Sequence, residues 1–362
     1  MLQNIINVIV FMLVLGSIIT VHEFGHFITA KLFGVYCSNF AIGMGPKLLS
    51  YKGKETSYEL RLFPIGGFVA MAGEEDQLEN ENLKDIPVER TIKGLATYKK
   101  VIIFGAGVFM NFVLAIAVLL TINLTVGKVG VNQAQIGQIY ENSAAEIYGL
   151  KENDIITQVY IHDTESTILV SKFDDINLSR DILETESETI KVTVNVLRND
   201  QNEKVDMVLP YEESGNRYYM GVAHASRDMT FVESIKYTFV DFKDMSTGVI
   251  RALSQLITQF SSTVKQMSGP AGIYQITASV TEQGEIASIF KLLAMLSINI
   301  GIFNLLPIPG LDGCQIIFAV VEGGIGKELP HKLKIALQIC GLVLVFGLMI
   351  IITVQDLFKI FG

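Results

Sequence analysis

The sequence is poor in charge. Only 18% of its 362 residues are Asp, Glu, Lys or Arg, half are hydrophobic, and the mean hydropathy is +0.42. This composition excludes an ordinary soluble globular protein, and it is equally unlike that of a disordered chain. Because the apolar residues lie in a few long blocks, the composition favours an integral membrane protein.

The sequence also lacks basic runs and paired cysteines. The formal net charge is −9, and scattered Lys and Arg form no strip for a phosphate backbone, so we expect no nucleic-acid partner. The three cysteines, Cys37, Cys314 and Cys340, are far apart and odd in number. They indicate neither a disulfide framework nor a cysteine metal site, and we interpret them as small apolar residues in packed helices.

Four apolar blocks are each close to the roughly 20 residues that cross a bilayer. A cleaved signal peptide is an alternative for the first block, but that block has no basic region before it and no small-residue cleavage site after it. The sequence therefore predicts four transmembrane helices, which lie at 1–33, 101–126, 289–309 and 335–358.

Lysines mark one side of these spans. No Lys or Arg precedes the first span, whereas Lys31 closes it and Lys99 opens the second. By the positive-inside rule, the connectors 34–100 and 310–334 are cytosolic, and both termini and the connector 127–288 are extracytoplasmic.

The outer connector divides into two parts. Residues 127–222 have the pattern of an α+β module, including a hairpin that turns at 199–200. From 223 to 288 the pattern is helical and amphipathic, which predicts a region lying against the membrane surface. We expect 269–270, a Gly-Pro pair, to break any helix there.

One motif carries the chemistry. His22, Glu23 and His26 form an H-E-x-x-H sequence, which places two imidazoles on one helix face with a glutamate beside them. Such a pair can bind one zinc ion at about 2.0–2.1 Å per nitrogen. They could instead be ordinary polar residues, but ionisable groups in a transmembrane helix cost several kcal/mol unless they face a metal or a polar interior.

A catalytic zinc site needs a third protein ligand and an open position for water. Two prolines in the run 304–313 should unwind the third span and bring Asp312 to the inner membrane boundary. Alone, an Asp-Gly after prolines is a turn signal. However, His22 lies about 26 Å from Ile5 along a helix, near the same boundary, so we expect Asp312 as third ligand and Glu23 as general base for a water at the zinc.

Six motifs occur in a fixed order along the chain: HEFGHFITAKLFGV, FAIGMGPKLL, RLFPIGGFVAMAGEED, GAGVFMNF, SGPAGI and NLLPIPGLDG. This set resembles the site-2 protease family of intramembrane zinc metalloproteases, most nearly the bacterial regulators of sigma-E protease. The resemblance covers nearly the whole chain. It implies hydrolysis of peptide bonds within the membrane, in single-span proteins that another protease has already cut, such as anti-sigma factors or signal-peptide remnants.

Residue by residue, the resemblance implies that His22, His26 and Asp312 hold Zn²⁺ and that Glu23 is the catalytic glutamate. It also implies that Asn304 holds the substrate backbone. The implied location is the bacterial inner membrane, in contact with lipid, with the active site near the cytosolic side. The oligomeric state stays open.

The resemblance further implies a membrane-associated β-hairpin at 40–71 that presents an edge to an unwound substrate. A helix hides its peptide bonds, so a segment that is cut must become extended and pair its backbone groups. Our candidates for the edge are Phe68, Val69, Ala70 and Met71, with simple hydrophobic contact to the membrane as the alternative.

The module at 127–222 is similar to one PDZ domain, which would serve as a size filter or a docking site. The fold class is therefore a multi-pass α-helical membrane protein with four transmembrane helices, a membrane-associated β-hairpin and one inserted extracytoplasmic α+β PDZ-like domain.

Two departures from the family pattern concern the site. Val108 stands where the family commonly has proline, which removes an expected kink, and Cys314 follows the LDG motif where the family usually has glycine. Two other functions are alternatives: an inactive scaffold that binds partners through the PDZ-like domain, and a metal transporter. The scaffold would be indifferent to substitution of Glu23, and the transporter would need polar residues along several spans.

Overall fold

A computed structural model describes residues 2–73, 86–259 and 269–361. The end of the RLFPIGGFVAMAGEED motif, and the parts of the predicted regions 34–100 and 223–288 at 74–85 and 260–268, lie outside the described residues.

The described residues form nine helices and eleven strands. The helices are α1 (Leu2–Leu32), α2 (Thr97–Thr125), α3 (Ala144–Ile147), α4 (Arg180–Leu183), α5 (Phe231–Thr258), α6 (Pro270–Glu282), α7 (Ile286–Asn304), α8 (Asp312–Ile325) and α9 (His331–Phe361). The strands are β1 (Cys37–Lys52), β2 (Ser57–Met71), β3 (Lys128–Gly130), β4 (Ile136–Ile139), β5 (Ile155–Ile161), β6 (Ser166–Leu169), β7 (Thr189–Arg198), β8 (Gln201–Glu212), β9 (Arg217–Tyr218), β10 (Val222–His224) and β11 (Ser226–Asp228).

The chain divides into two compact units. The membrane unit comprises Met1–Thr125 and Glu233–Gly362, and the inserted unit comprises Val126–Val232. Within the described residues, four helices are long and apolar enough to cross a bilayer, as expected for an integral membrane protein. They are Leu2–Leu32, Thr97–Thr125, Ile286–Asn304 and His331–Val354.

Helices α1, α2 and α7 pack together through apolar side chains. Val14 and Ile18 of α1 meet Ala115 of α2 and Leu296 and Ile298 of α7 in one buried cluster. Small residues allow this packing: a Cβ atom on Gly25 would lie 2.4 Å from the Ala106 carbonyl oxygen. The backbones of α1 and α2 are therefore in direct contact beside the H-E-x-x-H motif.

Helix α7 ends where the two prolines begin. The helix stops at Asn304, residues 305–311 are not helical, and α8 starts at Asp312. The two prolines predict the unwinding but not the new helix. An acidic residue in a first helical turn is stabilised by the helix dipole, which accounts for Asp312 at this point.

Strands β1 and β2 form an antiparallel hairpin beside α1. Register shifts interrupt the pairing between Asn39 and Leu49, so the hairpin contains bulges. Its turn is tied to the C-terminal end of α1, because Lys31 of that helix and Arg90 donate hydrogen bonds to Glu55. These two bonds lower the pKa of the Glu55 carboxyl. The hairpin is thus held against the helix that carries the motif.

A buried carboxylate links α9 to α6. Asp356 is only 3% exposed, and its Oδ2 accepts hydrogen bonds from the amides of Gly269, at 2.7 Å, and Gly272, at 2.9 Å. These amides belong to the N-terminus of α6. The Gly-Pro pair at 269–270 therefore begins a helix, in agreement with the preference for proline in a first helical turn.

The inserted unit is built on a five-stranded antiparallel sheet with the strand order β6-β5-β7-β8-β9. The predicted hairpin is confirmed: β7 pairs with β8, and both turn residues, Asn199 and Asp200, have positive φ. Two positive φ values define the type I′ turn that suits strand twist. Alternate residues of β7, including Ile190, Val192 and Val194, enter the buried core of the unit.

One part of the sequence interpretation was wrong. The helical pattern predicted from residue 223 onward begins only at Phe231, because β10 pairs with β4 and β11 pairs with β3. These strands have three residues each, too few for an alternating pattern to be visible in the sequence. Their pairing extends the inserted unit to Val232.

The Arg198→Met variant is expected to destabilise the inserted unit. Asp154 is 1% exposed, and Arg198 donates to its two carboxylate oxygens at 2.7 and 2.6 Å. Removing one partner of a buried ion pair leaves an uncompensated charge, which costs about 3–5 kcal/mol. Amide hydrogen exchange of β7 in the full-length protein should show this loss in the free energy of opening.

Arg217→Met is the matched control. The Arg217 side chain is 58% exposed and lies 3.8 Å from Glu212, so its removal should change the opening free energy by less than about 1 kcal/mol. Equal effects of the two substitutions would show that the Asp154 pair contributes nothing specific.

Candidate metal centre

The structure brings His22, His26 and Asp312 together. The two Nε2 atoms lie 3.2 Å apart, and Asp312 Oδ2 lies 3.1 Å from His22 Nε2 and 3.5 Å from His26 Nε2. Both histidines are buried. The two helices that carry these residues are widely separated in sequence, so the cluster is a product of the fold.

This arrangement fits a zinc ion. Ligand atoms at about 2.0–2.2 Å from one tetrahedral zinc lie about 3.3–3.6 Å from each other. The three separations in the cluster are close to these values. In addition, Asp312 Oδ2 is buried and accepts no hydrogen bond of good geometry from the described residues, so a strong acceptor remains directed at the two nitrogens.

Helix α2 lies behind both imidazoles. His26 Nδ1 is 2.8 Å from the Ile103 carbonyl oxygen, and His22 Nδ1 is 3.2 Å from the amide of Asn111. A carbonyl oxygen only accepts, so the proton of a neutral His26 ring lies on Nδ1, which leaves a lone pair on Nε2. That is the protonation state in which Nε2 binds a metal.

Glu23 lies beside this cluster and faces two cavities. It lines a cleft of about 860 Å³ together with His22, His26 and Asp312, and a second cavity of about 280 Å³ with His22 and Asp312. The carboxylate is next to the backbone amide of Val69 in β2. A water or substrate group in either cavity is therefore within reach of Glu23.

Strand β2 supplies one wall of the larger cleft. Phe68, Val69 and Met71 line it, whereas Ala70 does not and is buried opposite Asn39 of β1. Val69 and Met71 share one face of the strand, as alternation of side chains requires, whereas Phe68 lines the cleft although it alternates with them. The hairpin thus turns part of the predicted edge toward the metal cluster.

Asn304 lies at the last turn of α7. Its Nδ2 is 3.3 Å from His22 Nε2, and the residue lines the smaller cavity. The amide therefore lies at the metal cluster, in a cavity that Gly66 and Gly67 of β2 also line, whereas Phe68, Val69 and Met71 line the larger cleft.

Gly107 was not identified from the sequence as part of the site. A Cβ atom at this position would lie 2.3 Å from His26 Nε2 and 2.8 Å from His22 Nε2, so the two rings occupy the space that a side chain would need. Helix α2 passes unbroken through Val108. The available signal was the spacing of Ile103, Gly107 and Asn111, which places them along one face of a helix.

A membrane-embedded helical core with a buried His-His-Asp cluster and an adjacent glutamate defines a membrane metalloenzyme. The sequence model described as peptidase family M50 matches residues 10–348. A protein of Fusobacterium nucleatum named as a zinc metalloprotease is 35% identical over 96% of this chain and 97% of its own length. A protein of Clostridium perfringens with the same kind of name is 30% identical over 96% and 97%.

The regulator of sigma-W protease of Bacillus subtilis is 28% identical over 98% of this chain and 99% of its own. The chain belongs to peptidase family M50, the site-2 protease family, and it is a zinc-dependent intramembrane metalloprotease. The expected family, enzyme class and metal are thereby confirmed.

Proposed function

We propose that this protein cuts the transmembrane segments of single-span membrane proteins, with His22, His26 and Asp312 as zinc ligands and Glu23 as general base. The observation that carries the proposal is the convergence of three ligand atoms in a cleft that Glu23 also lines. In a protease whose active site is exposed to water, the same zinc ligands and glutamate would be accessible to any soluble peptide. Here it lies among transmembrane helices, so the substrate must itself enter the membrane.

A zinc ion held by His22, His26 and Asp312 would lower the pKa of a water molecule toward about 7 and would polarise a carbonyl group. Glu23 then accepts a proton from the attacking water and returns it to the nitrogen of the departing chain. Its place beside the Val69 amide holds the carboxylate at the cleft. His26 is kept in its metal-binding tautomer by the Ile103 carbonyl.

Recognition of the substrate rests on extended backbone. A transmembrane helix has no free amides, so the segment unwinds and pairs with the edge at Phe68, Val69, Ala70 and Met71. Asn304 donates to a substrate carbonyl on the opposite side. Support comes from the position of β2, which lines both cavities at the metal cluster, and from Asn304, which lines the smaller one.

Substrates are proteins that another protease has already shortened, such as anti-sigma factors or signal-peptide remnants. The name of the Bacillus subtilis relative, a regulator of sigma-W protease, supports the first class. The PDZ-like inserted unit lies outside the membrane and excludes or docks the extracytoplasmic part of the substrate. Lysines such as Lys31 and Lys99 support the orientation with both termini outside and the active site near the cytosolic side.

Helix α5 lies along the extracytoplasmic membrane surface. It has a strong amphipathic pattern, and Phe231, Val232 and Phe239 are exposed at more than half of their surface. Exposed aromatic and aliphatic side chains on such a helix enter the interface between lipid headgroups and acyl chains.

The proposal is tested with the purified full-length protein in detergent and a tagged single-span substrate. We expect a cut inside the transmembrane segment, located by mass spectrometry, that is lost on chelation and restored by zinc. A substrate with a long extracytoplasmic domain should be cut more slowly than a shortened one. Cleavage that survives chelation, or binding of the substrate without any cut, would overturn the proposal and favour a contaminating protease or an inactive scaffold.

A further inference from the structure

Asn111 is a fully buried amide on α2, with 0% exposure, and it contacts His22 on the side away from the metal cluster. Its amide is the hydrogen-bond partner of His22 Nδ1, whereas its other terminal atom, Oδ1, has no partner among the described residues. A buried amide with an unpartnered oxygen next to a candidate ligand needs an explanation.

The contact is ambiguous in one respect. The nitrogen and oxygen of a carboxamide occupy equivalent positions and are assigned from the hydrogen-bond network. If the amide nitrogen donates to Nδ1, the proton of the neutral His22 ring must lie on Nε2, where it blocks metal binding. If the amide oxygen faces Nδ1, that nitrogen carries the proton and Nε2 presents a lone pair to the cluster.

The second histidine shows which orientation suits the metal. His26 Nδ1 lies 2.8 Å from the Ile103 carbonyl oxygen, which can only accept a hydrogen bond. Ile103, Gly107 and Asn111 follow one another at four-residue intervals along α2, so they lie along one helix face. The glycine gives room for the rings, Ile103 supplies an oxygen to His26 Nδ1, and Asn111 would supply one to His22 Nδ1 in the second orientation.

The Asn111 backbone is also held in place. Ser297 of α7 donates a hydrogen bond of 2.8 Å to the Asn111 carbonyl oxygen, and Gly301 leaves room for the ring of the neighbouring Phe112. The backbone position of Asn111 is therefore fixed, and only the nitrogen and oxygen of its side-chain amide can exchange places.

We infer that Asn111 is a positioning residue that accepts a hydrogen bond from His22 Nδ1 and so directs the lone pair of His22 Nε2 at the zinc ion. This inference rests on the proposed function, since it requires His22 to be a ligand. Partners that orient a metal-binding histidine in this way typically change metal affinity by about 10–100-fold when they are removed.

Two substitutions distinguish the effect of the hydrogen bond from the effect of side-chain volume. Asn111→Asp keeps an acceptor and cannot donate when ionised, so it should retain zinc within a few-fold of wild type. Asn111→Leu keeps a similar volume without an acceptor and should weaken zinc retention by about 10–100-fold. Asn123→Leu is the matched control, because Asn123 is a buried amide on the same helix that bonds Thr238 and Asp241.

Zinc retention is measured on the purified full-length protein against a chromophoric chelator, and cobalt substitution reports the ligand field. We expect the cobalt spectrum to change in Asn111→Leu, and in Asn111→Ala if the leucine variant does not fold, but not in Asn123→Leu. Wild-type zinc affinity in the leucine and alanine variants, or equal loss in Asn111→Asp, would overturn the inference. Wild-type affinity in His22→Ala would instead overturn the proposed ligand set.

Discussion

The Glu23→Gln variant should cleave a single-span substrate about 10²–10⁴-fold more slowly than the wild type, because general base catalysis contributes that much and glutamine cannot accept the proton. It should still bind one zinc ion per chain. Glu23 lines both cavities at the metal cluster but provides none of the three converging ligand atoms, so the substitution removes the base without removing a ligand. Rates of product formation and metal content measured on one preparation check both expectations.

Glu55→Gln provides the comparison. Glu55 is a glutamate of the hairpin turn whose carboxylate binds Lys31 and Arg90, and it lines neither cavity of the metal cluster. Its substitution should leave the cleavage rate within a few-fold of wild type. Unchanged cleavage by Glu23→Gln would mean that another group accepts the proton. Loss of zinc along with activity would mean that Glu23 helps to hold the metal.

Gly107→Ala should abolish stable zinc binding, with retention reduced on the order of 100-fold or more, at the upper end of effects seen when histidine ligands are disturbed. The added methyl group would lie 2.3 Å from His26 Nε2 and 2.7 Å from His22 Cε1. Moving α1 and α2 apart is costly, because it would open the buried apolar cluster that contains Ile18 and Ala115. The rings must therefore rotate away from the ligand geometry.

Gly105→Ala isolates this steric effect. It lies two residues away on the same helix, where the nearest atom to an added Cβ is Ile316 Cδ1 at 4.0 Å. Alanine is favoured over glycine in a helix by about 0.8–1.0 kcal/mol, so this variant should bind zinc normally and unfold at a slightly higher temperature. If Gly107→Ala retains zinc as well as Gly105→Ala does, α1 and α2 are less closely packed than the structure indicates.

The sequence predicted the elements that have strong local signals. Four apolar blocks predicted four candidate spans, and the structure has four helices that qualify among the described residues. The Asn199-Asp200 pair between two alternating strands predicted a hairpin, which the inserted unit contains. His22, His26 and Asp312 were brought together on the basis of ligand chemistry and position in the membrane, and their atoms do converge. The roles of these residues, of Glu23 and of Asn304 stay predictions.

What the sequence did not reveal depends on contacts between elements. The spacing of Ile103, Gly107 and Asn111 indicates that they share one face of α2, but it does not indicate that this face meets the two histidines, because that depends on the contact between α1 and α2. The contact from the Ile103 carbonyl cannot be predicted from the sequence, because every residue has a backbone carbonyl. Strands β10 and β11 are stabilised by distant partners rather than by their own residues, which explains why they were interpreted as helical.

The order of the cluster along the chain has a consequence for biosynthesis. About 290 residues separate His26 from Asp312, and a ribosome working at roughly 5–20 residues per second needs about 15–60 s to make them. During that time the nascent protein holds only two of its three converging groups. A polypeptide released early would therefore enter the membrane with an incomplete centre. The late arrival of Asp312 ensures that neighbouring membrane proteins meet the active centre only after α1, α2 and α7 have been made.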